Sequence, residues 1–273
     1  MPTRRIHGIE LAYADRGAGL PVVLLHGFPL DHTMWAAQLD ALAGACRVIA
    51  LDLCGFGQSG VRDGTATMEQ MADDAAGLLD ALGIGSAAIC GLSMGGYVAL
   101  AFWRRHAART AAFVLCDTRA AADAPAIAAA RRETAEQVLR EGPAALAAAM
   151  TPRLFSPQTA AARPEVVAAV QAMMLRSDRR GVAAAARGMA ERPDSTPLLP
   201  QIGCPTLLLV GADDAISPPA EMRGMAAAIG GSELVEIPAA GHMSPMENPA
   251  AVNAALAAFL ARVATATGKA TGS

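Results

Sequence analysis

Short runs of apolar residues alternate along this chain with longer segments in which apolar residues recur every three or four positions. The short runs are typical of buried strands: PVVLLHG (21–27), RVIALDL (47–53), AAICG (87–91), AAFVLCD (111–117), PTLLLVG (205–211) and ELVEIP (233–238). The longer segments predict helices: WAAQLDALA (35–43), MEQMADDAAGLLDALG (68–83), MGGYVALAFWRRHA (94–107), PPAEMRGMAAAIG (218–230) and NPAAVNAALAAFLARV (248–263). Apolar strands separated by helices predict an α/β fold with a mostly parallel sheet covered on both faces.

This alternation is interrupted between residues 119 and 200. The segment is rich in alanine, contains no strand-like run, and shows helical stretches broken by GP, TPRLFSP and ARP. We interpret residues 119–200 as a helical cap inserted between two strands of a core formed by residues 1–118 and 201–264. The tail, residues 265–273, has the composition of a disordered terminus.

Composition and charge exclude several classes of protein. The chain has 273 residues, of which 53% are hydrophobic and 4% aromatic, and a formal net charge of −3 without a basic stripe. It is therefore not expected to bind nucleic acid. The unbroken apolar runs are far shorter than a membrane span, and the first residues have no apolar segment typical of a secretion signal. Five scattered cysteines, without a C-x-x-C pair, predict a reducing compartment, so we expect the cytoplasm.

Ser93 lies in the pattern G-x-S-x-G, between a strand-like run and a helix-like run. About one chain in ten to fifteen of this length matches that pattern by chance, so the motif alone is weak. A tight strand-to-helix turn would expose the serine hydroxyl above the sheet edge, and Gly91 and Gly95 would relieve the crowding. The alternative is a glycine-rich turn with an incidental serine.

A serine hydroxyl needs a base to become a nucleophile, and histidine is the usual one. The chain contains five histidines: His7, His26, His32, His106 and His242. His242 lies in a polar loop that follows the last strand-like run, and such a loop leaves the same sheet edge as Ser93. It is therefore the candidate base.

The base needs a carboxylate that holds its tautomer. Aspartates that follow strand-like runs are candidates: Asp52, Asp117, Asp213 and Asp214. Asp213 and Asp214 are favoured because the chain order serine, aspartate, histidine is that of one particular sheet.

The fourth requirement is an oxyanion hole, in which the loss of one donor typically costs about 3 kcal/mol. The backbone N–H of Met94, directly after the candidate nucleophile, is one predicted donor. The N–H of Phe28, in the loop after an early strand, is the other. His26 is interpreted as a residue that braces this loop.

A second motif, GFGQSG (55–60), matches the dinucleotide pattern G-x-G-x-x-G. A dinucleotide site also requires a helix that starts at the motif, whereas the polar, turn-forming VRDGTAT follows here. We therefore predict no nucleotide site. No cofactor and no metal are expected.

The segments HGFPLDHTMW, DLCGFGQS, GLSMGGYVAL, VGADDAISPP and AGHMSPMENP strongly resemble the successive signature blocks of the α/β-hydrolase superfamily. The resemblance covers nearly the whole chain and is greatest to small esterases and 3-oxoadipate enol-lactonases. It implies an eight-stranded, mostly parallel sheet with a cap after strand 6, and it selects Asp214 as the catalytic acid. The serine at position 93 separates this chain from dehalogenases and epoxide hydrolases, which carry aspartate there.

These inferences predict a serine hydrolase that cleaves a small carboxylic ester or lactone through an acyl-enzyme, with Ser93, His242 and Asp214 as its triad. The alternatives are a carbon–carbon bond hydrolase, for which candidate cations are Arg119, Arg131, Arg132 and Arg153, and an aminopeptidase-like amidase. Less favoured are a cofactor-free haloperoxidase and a non-catalytic ligand-binding scaffold. The expected partner is a small molecule. Trp103 and the apolar cap are the candidate surface for a second copy of the chain.

Overall fold

One sheet organises the part of the chain that the computed structural model describes, which is residues 1–270, with side chains for residues 1–266. Its eight strands are ordered β1-β2-β4-β3-β5-β6-β7-β8. Strands β3 to β8 run parallel to one another, whereas β1 and β2 form an antiparallel hairpin at one edge and β2 also pairs antiparallel with β4. The strands are β1 (Thr3–Ile6), β2 (Ile9–Arg16), β3 (Leu20–Leu25), β4 (Cys46–Leu51), β5 (Ala87–Leu92), β6 (Thr110–Cys116), β7 (Thr206–Gly211) and β8 (Glu233–Ile237).

Helices cover both faces of this sheet, so the central strands are apolar throughout. In β3, Val23 and Leu25 face one core cluster, whereas Val22 and Leu24 face the other. The helices are α1 (Ala36–Leu42), α2 (Met68–Ala81), α3 (Met94–His106), α4 (Pro125–Glu141), α5 (Ala144–Leu154), α6 (Pro157–Ala162), α7 (Pro164–Arg176), α8 (Arg179–Glu191), α9 (Pro219–Ala228), α10 (Ser244–Glu247) and α11 (Pro249–Ala270). The predicted eight-stranded α/β-hydrolase architecture is thus confirmed.

The hairpin formed by β1 and β2 is an addition to the strands that the sequence pattern predicts. Its strands carry charged residues on the exposed side, and only a few side chains, such as Leu11 and Tyr13, are buried. The hairpin turns at His7 and Gly8, which both have positive φ angles (45° and 87°), as two-residue hairpin turns require. Isolated apolar residues in a charged segment do not form the unbroken run that marked the buried strands.

The inserted segment forms α4 to α8, between β6 and β7. It docks closely on the core because glycines allow backbone contact: a Cβ atom on Gly181 would lie 1.9 Å from the carbonyl oxygen of Gly55, and one on Gly188 would lie 1.9 Å from that of Ala66. The cap is therefore fixed to the core loops that follow β4.

This close contact predicts that Gly181→Ala destabilises the fold by about 1–3 kcal/mol, because the added methyl group forces the cap away from the core. Gly224 in α9 is a matched control, since a Cβ there meets nothing within 4 Å. Gly224→Ala should raise the free energy of unfolding by up to about 1 kcal/mol, because alanine favours a helix over glycine. Chemical denaturation of both variants measures the difference. Equal stability of the two would show that the contact imposes no constraint.

The last helix reaches into the tail that was predicted to be disordered. Helix α11 extends to Ala270 and so includes residues 265–270. Residues 271–273 of the predicted tail lie outside the described part of the chain.

Helix α11 also contains a segment, Pro249–Ala266, whose length and hydropathy would suffice for a membrane span, although it has no long unbroken apolar run. Of this segment, 28% is buried. The buried apolar side chains pack into the core cluster on one face of the sheet: Val252, Leu256, Phe259, Leu260 and Val263. Their spacing is that of one helix face, so we interpret α11 as a core helix.

All five cysteines are free, and the sulfur atoms of Cys90 and Cys116, on neighbouring strands, lie 4.0 Å apart. Trp103 is half-buried and packs against Phe113, with 6.3 Å between ring centroids. Its ring therefore contributes to the core of this chain.

Candidate active site

Ser93 is the residue at the turn between β5 and α3. Its backbone has φ 53° and ψ −112°, a conformation that a residue with a side chain rarely adopts. The turn is held on both sides, since the Ser93 N–H donates to the Cys116 carbonyl (3.0 Å) and its own carbonyl accepts from the Thr118 hydroxyl (2.8 Å). The Ser93 side chain makes no capping hydrogen bond to α3, so its hydroxyl is free for other contacts.

The glycines that flank Ser93 are required by close backbone packing. A Cβ atom on Gly91 would lie 2.1 Å from the carbonyl oxygen of Gly95. A Cβ atom on Gly95 would lie 2.1 Å from the carbonyl oxygen of Leu25, in the neighbouring strand β3. The G-x-S-x-G pattern therefore has a steric cause here, which an incidental serine in a loose turn would not have.

The structure brings together the residues predicted as nucleophile, base and acid, although 149 positions separate Ser93 from His242. The His242 Nε2 atom lies 2.9 Å from the Ser93 Oγ, and Nδ1 lies 2.8 Å from an Asp214 carboxylate oxygen. A carboxylate only accepts hydrogen bonds, so Nδ1 carries the ring proton. Nε2 is then free to accept the proton of the Ser93 hydroxyl.

Asp214 is held by the loop that follows β7. Its Oδ1 accepts hydrogen bonds from the backbone N–H groups of Ile216 (2.8 Å) and Ser217 (3.0 Å), which leaves Oδ2 for His242. The Asp214 residue is only 3% exposed. Asp213, the alternative acid, is exposed to solvent. The local geometry therefore orients Asp214, and not Asp213, toward the imidazole.

The loop that carries His242 is fixed by Glu247, a residue that sequence reasoning missed. One Glu247 carboxylate oxygen accepts from the N–H groups of Gly241 (2.8 Å) and Met243 (3.1 Å), on either side of His242. The other accepts from the Ser156 N–H in the cap (2.8 Å). The His242 N–H itself donates to the carbonyl of Leu154, also in the cap. The cap thus helps to position His242.

The predicted oxyanion donors lie beside Ser93. Met94 is the first residue of α3, where backbone N–H groups have no partner within the helix. Phe28 follows Gly27, and a Cβ atom on Gly27 would lie 3.6 Å from the Ser93 Cβ. His26 holds this loop in place, since its Nε2 accepts from the Leu53 N–H (3.0 Å) and its Nδ1 then donates to the Gly27 carbonyl (2.9 Å). Burial lowers the pKa of His26, which favours this neutral form.

The segment that matched the dinucleotide pattern wraps around a buried carboxylate. The Gln58 N–H donates to Asp52 (2.9 Å), and helix α2 begins only at Met68. Asp52 also accepts from the His32 N–H (2.8 Å), so it holds together the loops that follow β3 and β4. Asp52, His32 and Asp31 have ligand atoms within 4.8 Å of one another, as a cation site would. Their side chains already bond to one another or to neighbouring residues, Arg176 included.

A cavity of about 400 Å³ lies between the cap and the core, and its wall includes Phe28, the residue of one predicted oxyanion donor. Phe28, Tyr97 and Ile216 contribute to its wall on the core side. Its other lining residues include Leu146 and Met150 of the cap. Three arginines also line it: Arg119, Arg131 and Arg153. Its lining therefore combines apolar side chains with cationic groups.

The surroundings of Arg131 leave this part of the cavity with a positive charge. Asp123, whose side chain is 1% exposed, contacts the guanidinium groups of both Arg131 (2.5 Å) and Arg192 (2.9 Å). Although burial disfavours the charged form, the two guanidinium groups lower the pKa of Asp123. Arg192 is buried and lies over the Tyr97 ring, 4.0 Å from its centroid. One carboxylate cannot neutralise two guanidinium groups, and Arg131 is the one that lines the cavity.

The family model of the alpha/beta hydrolase fold matches residues 21–249 of this sequence. The chain is an α/β hydrolase. A malate-bound thermophilic esterase from Thermogutta terrifontis is 54% identical, with a TM-score of 0.93 over 96% of this hydrolase and 97% of the esterase. An enol-lactonase from Burkholderia xenovorans is 34% identical, with a TM-score of 0.89 over 95% of this chain and 100% of that one.

Curated relatives of this α/β hydrolase include 3-oxoadipate enol-lactonase 1 from Acinetobacter baylyi, which is 30% identical over 84% of each chain. The hydrolase also matches, at 46% identity over 95 residues, the dihydrolipoyllysine-residue acetyltransferase component of the acetoin cleaving system from Cupriavidus necator. It spans only 25% of that relative.

Proposed function

We propose that this α/β hydrolase cleaves a small carboxylic ester or lactone through an acyl-enzyme formed on Ser93. The observation that carries the proposal is the continuous chain of hydrogen bonds from the Ser93 hydroxyl through His242 to Asp214. The esterase and enol-lactonase relatives support the same reaction class.

Each residue has one role in the reaction. The Ser93 Oγ attacks the carbonyl carbon while its proton moves to the Nε2 of His242, and Asp214 stabilises the imidazolium that forms. The N–H groups of Phe28 and Met94 hold the negative oxygen of the tetrahedral intermediate. When the intermediate collapses, Nε2 gives the proton to the leaving alkoxide oxygen. Water then attacks the acyl-enzyme by the same route in reverse and releases the acid.

Pre-steady-state hydrolysis of p-nitrophenyl acetate tests this reaction class. We expect a rapid release of about one p-nitrophenolate per chain, followed by slower turnover, because an activated ester should acylate Ser93 faster than water releases the acyl group. The absence of turnover on a panel of short-chain esters and lactones would contradict the proposal. Cleavage of a diketone at a carbon–carbon bond, without ester cleavage, would favour the alternative hydrolase.

We propose further that the preferred ester or lactone carries a carboxylate, which Arg131 binds. Arg131 is a suitable anion site because Asp123 fixes its guanidinium group, while Arg192 compensates the charge of that carboxylate. Arg119 is bound by the carbonyl of Ile216 and by Glu221 (3.2 Å), so its charge is less available. The esterase that is 54% identical binds malate, a dicarboxylate, which is consistent with an anion site in a related protein.

Arg131→Gln should lower kcat/KM for p-nitrophenyl hemisuccinate relative to p-nitrophenyl butyrate by about 10- to 100-fold, because charge-assisted hydrogen bonds contribute about 1.5–3 kcal/mol. Asp123 remains paired with Arg192 in this variant, so the fold should be retained. Arg132→Gln is the matched control: Arg132 is the next residue in α4 but is exposed and does not line the cavity. A substrate ratio that is the same in wild type and both variants would refute the carboxylate site.

The prediction of a cytoplasmic location rests on the free cysteines, which suit a reducing compartment. It stays a prediction.

A further inference from the structure

Asp117 is a completely buried carboxylate for which the reaction described above has no role. It directly follows β6, and its backbone has a φ of 45°, in the region that favours glycine. Such strain persists only where the surroundings hold the residue in place. The contacts that hold Asp117 lead to both loops that carry the candidate acid and base.

The first contact of the side chain is with the end of β7. The Gly211 N–H donates to Oδ1 of Asp117 (2.8 Å), and the Gly211 carbonyl accepts from the Asp214 N–H (3.0 Å). A Cβ atom on Gly211 would lie 2.0 Å from the carbonyl oxygen of Gly241, the residue before His242. Asp117 is therefore linked through Gly211 to the start of the acid loop and to the base loop.

The second contact of the side chain is with the start of α10. Its Oδ2 forms a short hydrogen bond with the hydroxyl of Ser244, two residues after His242. One oxygen of Asp117 thus fixes the acid loop, and the other fixes the base loop.

The charges around Asp117 oppose an ionised carboxylate. Asp214 is close enough to act on it electrostatically, as is Cys116 of its own strand. Among the residues described, no lysine, arginine or histidine forms an ion pair with Asp117, and the imidazole of His242 is bonded to Asp214. Burial and the nearby Asp214 together raise the pKa of Asp117 well above its usual value. With two buried carboxylates that repel each other and a single imidazole, which is bonded to Asp214, a proton is favoured on Asp117.

We infer that Asp117 is a positioning residue that works as a neutral acid. It accepts the Gly211 N–H at one oxygen and donates its own proton to the Ser244 hydroxyl at the other. It thereby holds the loops of Asp214 and His242 together, and Asp214 remains the carboxylate that supplies negative charge to the imidazole. This inference rests on the proposed hydrolase activity only for its kinetic consequences.

Asp117→Asn tests the inference because asparagine reproduces a neutral acid, with one acceptor and one donor group. We expect kcat/KM for p-nitrophenyl butyrate within about threefold of wild type and an unchanged acidic limb of the pH–rate profile. Asp117→Ala, which removes both contacts, should lower kcat at least about tenfold with little change in KM. A downward shift of the acidic limb by a unit or more in Asp117→Asn would overturn the inference, because it would show that a charge on Asp117 had raised the basicity of His242.

Infrared difference spectroscopy tests the proton itself and does not depend on activity. The C=O stretching band of a protonated carboxylic acid should be present in wild type and absent from Asp117→Asn. Asp52→Asn is a matched control, since Asp52 is equally buried, but hydrogen bonds from His32 and Gln58 lower its pKa despite burial. That substitution should leave the band unchanged. An unaltered band in Asp117→Asn would overturn the inference even if the protein proved to be an active esterase.

The pH dependence of the free energy of unfolding provides a third test, which does not depend on catalytic activity. A buried neutral Asp117 keeps a proton that the unfolded chain releases above about pH 4, so its contribution to stability falls as the pH rises. Asparagine has no such proton. The free energy of unfolding of Asp117→Asn, relative to wild type, should therefore increase between about pH 4 and pH 8. A decrease over the same range would mean that Asp117 is ionised in the folded protein.

Discussion

Ser93→Ala is expected to lower kcat on p-nitrophenyl butyrate by about a million-fold, the loss found when a serine triad loses its nucleophile. Alanine retains the Cβ atom of serine and removes only the hydroxyl that lies 2.9 Å from His242. Since the Ser93 side chain does not cap α3, the variant should keep the thermal stability of wild type. Steady-state kinetics and a thermal melt of the same preparation measure both effects.

Ser232→Ala is the matched control for this prediction. Ser232 lies between α9 and β8, and its hydroxyl donates to the carbonyl of Ala226 (2.9 Å). This hydroxyl makes no contact with the candidate site. Its activity should equal that of wild type. If Ser93→Ala retained more than about 1% of wild-type kcat, the hydroxyl of Ser93 would not be the nucleophile.

Asp214→Asn is expected to lower kcat by about ten thousand-fold while the loop keeps its shape. The asparagine oxygen can still accept from the N–H groups of Ile216 and Ser217, so its amide nitrogen takes the place next to His242. The imidazole must then present an unprotonated Nδ1 to that amide, and the proton moves to Nε2. A protonated Nε2 cannot accept the serine proton.

Asp213→Asn separates this effect from a general change in the loop. Asp213 is adjacent in sequence but exposed, and its backbone N–H, which donates to Ala240 (2.9 Å), is unaffected by the substitution. We expect wild-type kcat for Asp213→Asn. A large loss in Asp213→Asn together with full activity in Asp214→Asn would show that the acid had been wrongly assigned.

Strands β3 to β7 could be predicted from sequence because burial on both faces leaves an unbroken apolar run. The hairpin of β1 and β2 could not, because an edge ribbon with one exposed side carries as many charges as a loop. The grouping of Ser93, Asp214 and His242 could also be predicted, because each of these residues follows the end of a strand of the sheet. In a parallel sheet these ends meet at one edge, so residues that are far apart in sequence become neighbours.

Residues that act through loop backbones were harder to find. In the sequence, Glu247 resembles any acidic residue of a surface loop. Asp117 resembles any acidic residue at the end of a strand. Their importance depends on N–H groups that only the folded loops direct toward them. A partial signal for Glu247 was its distance of five residues from His242, since a short helical turn brings the two together.

The helical cap shows the same limit for specificity. The sequence offered Arg131 and Arg132 equally as cations, although neighbouring residues of a helix point about 100° apart. The buried positions of α4, Ala128, Ala135 and Val138, define a face that includes position 131. The phase of the helix would therefore have selected Arg131. Only the folded structure shows that Arg131 shares the carboxylate of Asp123 with Arg192, which leaves a positive charge beside the cavity.

The most direct test of the central claim is covalent labelling with a fluorophosphonate, followed by peptide mass spectrometry. We expect one adduct per chain, on the peptide that contains Ser93, formed rapidly in wild type and at least about a thousand-fold more slowly in Asp214→Asn. Ester hydrolysis at wild-type rate by protein that carries no adduct, or an adduct on another residue that abolishes activity, would contradict the account.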